Sequence, residues 1–230
     1  SNLVAVLSAS GPQDMIDRLS TIENLGVKNK TALTRFQAAE AIAQALDVSV
    51  PTSYRYVKLL ADAGLLQRSA ESQFSLGPRI ITLDHFMRVS DPVLQHAIAF
   101  MQELVEKTGF DCVLTGLYGN QVIDTHREYS SNPAELHYGR GRPRPLFLGG
   151  APKVMLANLA PHALHKLFDQ QTAEIAQAGL SSEWAEFRKY YSAIRKTGYY
   201  YSNGELEPHL AALAAVLQKT DGSVLGALSL

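Results

Sequence analysis

Thr52, Ser53, Tyr54, Arg55 and Lys58 follow Pro51 within two helical turns, a run of hydroxyl, phenol, guanidinium and ammonium groups. That set suits hydrogen bonding to the phosphates and base edges of a nucleic-acid duplex. On a 3.6-residue period Pro51, Arg55, Lys58 and Asp62 face outward, with Thr52 and Tyr54 on the flanks. Ser53, Val57, Leu60 and Gly64 face inward, which gives Ser53 a structural place. Arg55 can pair bidentately with a guanine or clamp a phosphate, and the sequence leaves both open. Arg68 adds a basic group in the polar stretch that follows. The plain alternative is an ordinary solvated helix face.

A second set lies further on. Gly149, Gly150 and Ala151 precede an apolar helical pattern, where exposed backbone N–H groups can receive a carboxylate or where the glycines simply make a tight loop. Arg140, Arg142 and Arg144 alternate with Gly and Pro, a solvated loop in which one arginine could neutralise an acidic ligand. Tyr199 and Tyr201 share one face of an extended run and Tyr200 takes the other; an aromatic ligand wall beside Ser202 and core packing are both open readings. His126, His137 and His209 have no metal-ligand spacing, so no metal or other cofactor is expected. There is no Gly-x-Ser-x-Gly elbow, phosphate loop, His-Glu-x-x-His, or Cys/His pair with nucleophile logic, which argues against an enzyme.

The 230 residues suffice for one large domain or two modest ones, and 46% hydrophobic residues support a packed core. A formal net charge of −1 gives no bulk attraction to nucleic acid or membrane, so DNA binding must rest on local charge. Lys28, Lys30, Arg35, Arg55, Lys58, Arg68 and Arg79 outweigh Glu40, Asp47, Asp62 and Glu71 in the segment that holds the donors. The single Cys112 excludes an internal disulfide and, in an apolar run, reads as a small buried hydrophobe. No apolar run approaches the roughly 20 residues of a membrane span. Residues 1–14 read as a loose leader, without the basic n-region of a signal peptide, and a cytoplasmic protein is expected.

Positioning elements follow from periodicity and punctuation. Helices are predicted over 15–25, 36–46 and 51–63, the last two joined by a turn at Asp47-Val48-Ser49. Residues 65–66 and 74–76 flank a polar excursion and predict a two-stranded wing. A helix over 78–89 carries Ile80, Ile81, Leu83, Phe86 and Met87, too apolar for a solvated connector, and is expected to pack on a copy of itself. Asp91-Pro92 starts a helix that stops at Gly109. Strands are predicted at 113–118 and 121–127 around Gly119-Asn120, at 135–138 and at 224–230, with helices over 151–159, 162–169 and 183–197. The expected domains are 15–77, a linker helix 78–90, and an α+β domain 91–230 with one antiparallel sheet and flanking helices.

In this order the parts resemble the IclR family of bacterial transcriptional regulators, from about Met15 to the end. Pro51-Thr52-Ser53-Tyr54-Arg55 matches the family's Ser-Thr-x-His-Arg-like recognition helix at Thr52 and Arg55, with Tyr54 for histidine. Phe74-Ser75-Leu76-Gly77 is similar to its Tyr-x-Leu-Gly-like turn, and 150–157 to its Gly-Lys-Ala-Leu-Leu-Ala-like helix start. A Gly-Ala-Leu-Ser strand closes the chain, and its Ser229 keeps a hydroxyl the family uses. The resemblance implies a winged helix-turn-helix, a linker helix and a GAF-like effector domain, assembled as homodimers or dimers of dimers. It also implies small organic acids or aromatic catabolites as effectors. Spacing back from the last strand places Ser202 and Ala212 where keto-acid-binding members carry aspartate and cysteine, so the resemblance does not extend to a small keto-acid effector.

The expectation is a ligand-responsive regulator that binds a double-stranded operator through Thr52, Tyr54, Arg55, Lys58 and Arg68. Its effector site is expected around Gly150, Ala151, Tyr201, Ser202 and Ser229. The alternative is a GAF-like metabolite-binding module or enzyme whose N-terminal helices serve assembly only.

Overall fold

The computed structural model describes residues 35–68, 74–136 and 138–230, and the chain divides into two compact units between Ser90 and Asp91. The predicted leader and the helix expected over 15–25 lie outside the described residues.

In the first unit α1 (Arg35–Ala45) and α2 (Val50–Asp62) are joined by a turn in which Asp47 takes a left-handed φ of 49°. Aspartate is among the few non-glycine residues that tolerate this conformation. Ser49 is extended, and Pro51 occupies the first turn of α2, where a missing N–H costs nothing. Ile42, Val57 and Leu66 form a small core with Leu46, Leu60, Ala61 and Phe74 against it. Strands β1 (Leu66–Arg68) and β2 (Phe74–Leu76) pair antiparallel, Leu66 opposite Leu76 and Arg68 opposite Phe74. The next helix, α3 (Arg79–Ser90), buries none of its residues and leaves Ile81, Leu83, Phe86, Met87 and Val89 exposed.

The second unit opens with α4 (Pro92–Thr108). Asp91 caps it, accepting from the N–H groups of Val93 at 2.9 Å and Leu94 at 3.2 Å, and Gly109 ends it at φ 71°. A six-stranded antiparallel sheet follows, formed by β3 (Cys112–Tyr118), β4 (Gln121–Glu128), β5 (Pro143–Arg144), β6 (Tyr199–Asn203), β7 (Ala211–Gln218) and β8 (Val224–Ser229), in the order β5-β4-β3-β8-β7-β6. Four helices, α5 (Gly150–Ala157), α6 (Pro161–Gln170), α7 (Thr172–Gln177) and α8 (Trp184–Thr197), lie between β5 and β6 in the chain.

Strand alternation sorts two cores onto the two faces of this sheet. Leu114, Leu217 and Leu228 pack with Leu94, Ala97 and Met101 of α4. Leu117, Val216 and Ala227, of the opposite parity, join the larger core with Val154, Met155, Phe187 and Tyr191. Cys112 is fully buried, and burial pushes its thiol up to about 11, so it packs as an inert hydrophobe.

One expectation is corrected. Among the described residues of 135–138 none is in a strand: Glu135 and Leu136 are irregular and Tyr138 lies in a bend. The short strand beside β4 is Pro143–Arg144, with Arg144 opposite Val122 and Pro143 opposite Ile123. Strand β7 and the short α7 were not expected. Ala211–Gln218 is mostly alanine and leucine, a composition that reads as helix until the pairing is seen. No helix among the described residues is long and apolar enough to cross a membrane.

Candidate functional site

Helix α2 sorts its side chains by face. Ser53 and Val57 are buried while Pro51, Arg55, Lys58 and Asp62 are exposed. The Ser53 hydroxyl donates to the Val50 carbonyl at 2.8 Å, so it serves the first turn. Thr52 places its hydroxyl 2.8 Å from that of Ser49. Tyr54 is half-buried, and Arg68 is exposed on β1. The guanidinium of Arg55 and the ammonium of Lys58 thus stand on one solvent-facing side of a helix whose other side is anchored. That is the arrangement a major-groove helix needs.

The second site is built around the start of α5, whose eight residues are all buried. Gly149 precedes it at φ 86°. Gly150 must lack a side chain, because a Cβ there would stand 2.8 Å from the Ala214 Cβ of β7 and 3.6 Å from the Ser202 hydroxyl of β6. Gly150 and Ser202 are thereby brought together, and Ala151 follows Gly150 in the first turn of α5. Ser229 lies opposite Ala214 in the register, on the same sheet face, and Ser202 lies opposite Ala212.

Tyr201 does not join them. It is 60% exposed on the other face of β6, opposite the exposed Leu213. The tyrosine that turns inward is Tyr200, one residue earlier.

Around Tyr200 the structure assembles a polar cluster. The Lys153 ammonium, on a side chain only 6% exposed, donates to Glu205 Oε2 at 2.6 Å and to the Tyr200 hydroxyl at 3.1 Å. The Gly149 N–H donates to the same Oε2 at 3.1 Å. Tyr200 donates to Glu205 Oε1 at 2.8 Å and accepts from the Tyr190 hydroxyl at 3.0 Å. Lys153 also stands over the Tyr200 ring, 4.8 Å from its centroid. Burial by itself would raise the Glu205 pKa. The bonds from Lys153, Tyr200 and Gly149, with the Lys153 charge, outweigh it and hold the carboxyl below its ordinary value. Burial, followed by the bonds to Tyr190 and Glu205, drives the Tyr200 phenol well up, so it stays a neutral donor. The result is an anion position at a helix N-terminus, completed by a buried cation and filled by the protein's own carboxylate.

Lys153, Tyr190, Tyr200 and Glu205 were not expected as site residues. The signal available for Lys153 was a lone cation within the otherwise apolar stretch 150–157. For Glu205 it was an acid directly after a glycine at the end of a strand-like run.

The loop arginines are otherwise engaged. Arg144 grips Asp124 Oδ2 through both Nε, at 2.9 Å, and Nη2, while Thr115 donates to Oδ1 at 2.9 Å. Burial of Asp124 outweighs these partners and raises its pKa. Arg140 donates to the Thr125 carbonyl at 2.9 Å. A groove of about 490 Å³ between α6 and α8 is lined by His162, His165, Trp184, Arg188 and Arg195 among others. Among the described residues no group of His, Cys, Asp and Glu could hold a metal ion.

Comparison with known proteins places these features in context. Residues 86–230 match the bacterial transcriptional regulator IclR C-terminal family. The chain is 31% identical over 122 residues to the "Probable transcriptional regulator SauR" of Cupriavidus necator, a match covering 52% of this chain and about half, 48%, of that protein. It is 25% identical over 223 residues to the HTH-type transcriptional regulator BhcR of Paracoccus denitrificans, covering 96% of this chain and 77% of that protein. Among solved structures, Thermotoga maritima IclR superposes with a TM-score of 0.61 at 17% identity, over 94% of this chain and 86% of that one. An IclR homolog from Microbacterium hydrocarbonoxydans, complexed with 4-hydroxybenzoate, gives 0.66 at 17% identity, over 94% and 88%. At such identities these structural likenesses are ones of fold.

Proposed function

Because the chain belongs to the IclR family of bacterial transcriptional regulators, we propose that it is a cytoplasmic, ligand-responsive regulator of transcription. In this reading residues 15–77 are a winged helix-turn-helix that docks α2 in the major groove. Residues 78–90 link it to a GAF-like effector domain, 91–230. What carries the reading is the sorting of α2, with Arg55 and Lys58 exposed and Ser53 and Val57 buried; the exposed Arg68 on β1 adds a further basic group. Thr52, Tyr54, Arg55, Lys58 and Arg68 contact the duplex, and homodimers or dimers of dimers present two such helices to a palindromic operator.

The effector is a small carboxylate-bearing or aromatic metabolite held near Gly150, Ala151, Ser202 and Ser229. Support comes from the glycine-opened helix start facing a sheet lane of Ser202, Ala212, Ala214 and Ser229, none larger than serine. The Microbacterium homolog's 4-hydroxybenzoate makes that acid the first to try. Tyr201, on the far face, has no part in this site. Effector binding shifts the balance between two arrangements of the dimer through differing affinity for them.

The test has two parts. Retention on heparin should fall steeply with salt, and Arg55→Ala should weaken it. A thermal-shift panel of aliphatic and aromatic carboxylates should then give stabilising hits with both wild type and Arg55→Ala. Retention independent of salt and of Arg55 would remove the regulator reading.

A further inference from the structure

We propose that the Glu205 carboxylate is a tethered stand-in for the effector's carboxylate, which binds by taking over the anion position at the Gly149 N–H and the Lys153 ammonium. The inference rests on the effector-domain reading and adds how that site is occupied and opened.

Three observations carry it. First, one oxygen, Glu205 Oε2, receives both the helix-terminal N–H at 3.1 Å and the buried ammonium at 2.6 Å, the contacts a ligand carboxylate needs at such a site. Second, this anion does not belong to the helix. Glu205 stands in the connection between β6 and β7, just after Gly204 at φ 65°. Backbone bonds within that connection, Gly204 N–H to Leu210 O and Leu210 N–H to Glu207 O, close it on itself at 2.8 and 2.9 Å. Third, the Tyr191 hydroxyl, on a side chain 1% exposed, has no hydrogen-bond partner among the described residues. Its ring meets that of Tyr190 edge-on, 5.2 Å between centroids, and the Tyr190 hydroxyl is bonded to Tyr200 within the cluster.

Charge decides what displaces Glu205. Lys153 is too buried to be left unpaired, so a neutral molecule that pushed Glu205 out would strand a cation. A carboxylate restores the pairing while Glu205 regains water, so the exchange leaves the buried charge count unchanged. The Tyr190 and Tyr200 rings flank the position and suit an aryl carboxylate.

Benzoate is the probe, with benzamide as its neutral counterpart, titrated calorimetrically into the full chain. Glu205→Gln should bind benzoate at least tenfold tighter than wild type, benzamide should show no such gain, and adding Lys153→Met should abolish it. Equal or weaker benzoate binding by Glu205→Gln overturns the proposal, as does no binding in any form. A gain that persists without Lys153, as binding in the α6/α8 groove would give, also overturns it. Should Glu205→Gln not fold, hydrogen exchange on wild type decides: benzoate should speed exchange over 204–210, and unchanged or slowed exchange there sinks the idea. Failure of the regulator reading shows instead on heparin, independently of this titration.

Discussion

Gly77 lies so close to Gly64 that a Cβ on it would stand 2.1 Å from the Gly64 carbonyl oxygen. The approach lets the Gly77 N–H bond Leu65 O at 2.8 Å and the Arg79 N–H bond Gly64 O at 3.0 Å, docking the hairpin on the end of α2. Gly77→Ala must push this backbone apart, and the contact is with main chain that cannot rotate away. A loss of about 2 kcal/mol or more is expected for the first unit. Calorimetry should show the lower transition confined to that unit; an unchanged trace would mean the hairpin is not held this way.

Arg55→Ala should reduce duplex affinity and lower the slope of log affinity against log salt by about 1 if Arg55 clamps a phosphate. If it reads a base, affinity should instead fall by about 1–3 kcal/mol on the operator alone. Because the side chain is exposed, the melting temperature should hardly move. Anisotropy titrations at several salt concentrations separate these outcomes.

Lys153→Met leaves Glu205 facing Gly149 and Tyr200 without its cation. Removing one member of a buried pair commonly costs about 3–5 kcal/mol; Glu205 can still reach water, so about 2 is expected here. The pH dependence has a definite sign. The folded Glu205 pKa lies below its unfolded value, so the pair's contribution is full above the ordinary glutamate pKa of about 4.3 and fades as pH falls below it. Urea midpoints measured downward from neutral pH should drop more for wild type than for Lys153→Met.

Asp111 pins the loop after β4. It accepts from the N–H groups of Ser130 at 2.6 Å and Ala134 at 2.9 Å and pairs with Arg127. Burial works to raise its pKa, but these bonds prevail and bring it to about 2. Its contribution is therefore present above about pH 4 and lost as pH falls toward about 2. Asp111→Asn should be less stable at neutral pH and show a flatter profile across that window; parallel profiles would show that the carboxylate contributes nothing specific.

The exposed Ile81, Phe86, Met87 and Val89 of α3 are expected to be covered by a second copy of the chain. Phe86→Lys should shift sedimentation toward monomer and weaken operator binding, while carboxylate-induced thermal shifts persist. Sedimentation identical to wild type would place the contact elsewhere.

Near-neighbour physics was legible from the residues alone. The 3.6-residue period of α2 separates Arg55 and Lys58 from Ser53 and Val57, and Asp91-Pro92 with Gly109 bounds α4, because each depends only on positions a few residues apart. Motif order along the chain was enough to suggest the family. Tertiary structure alone decided the site's chemistry. The choice of Tyr200 over Tyr201 as the inward ring is made by which face of β6 meets α5, since alternation separates the two faces without saying which is buried. Lys153 finds its anion 52 residues away, and Arg144 is claimed by Asp124, 20 residues back. Such pairings follow from strand order and the seating of α5. They arise when the chain buries its apolar faces and each charge carried inward must meet whatever partner the packing brings to it.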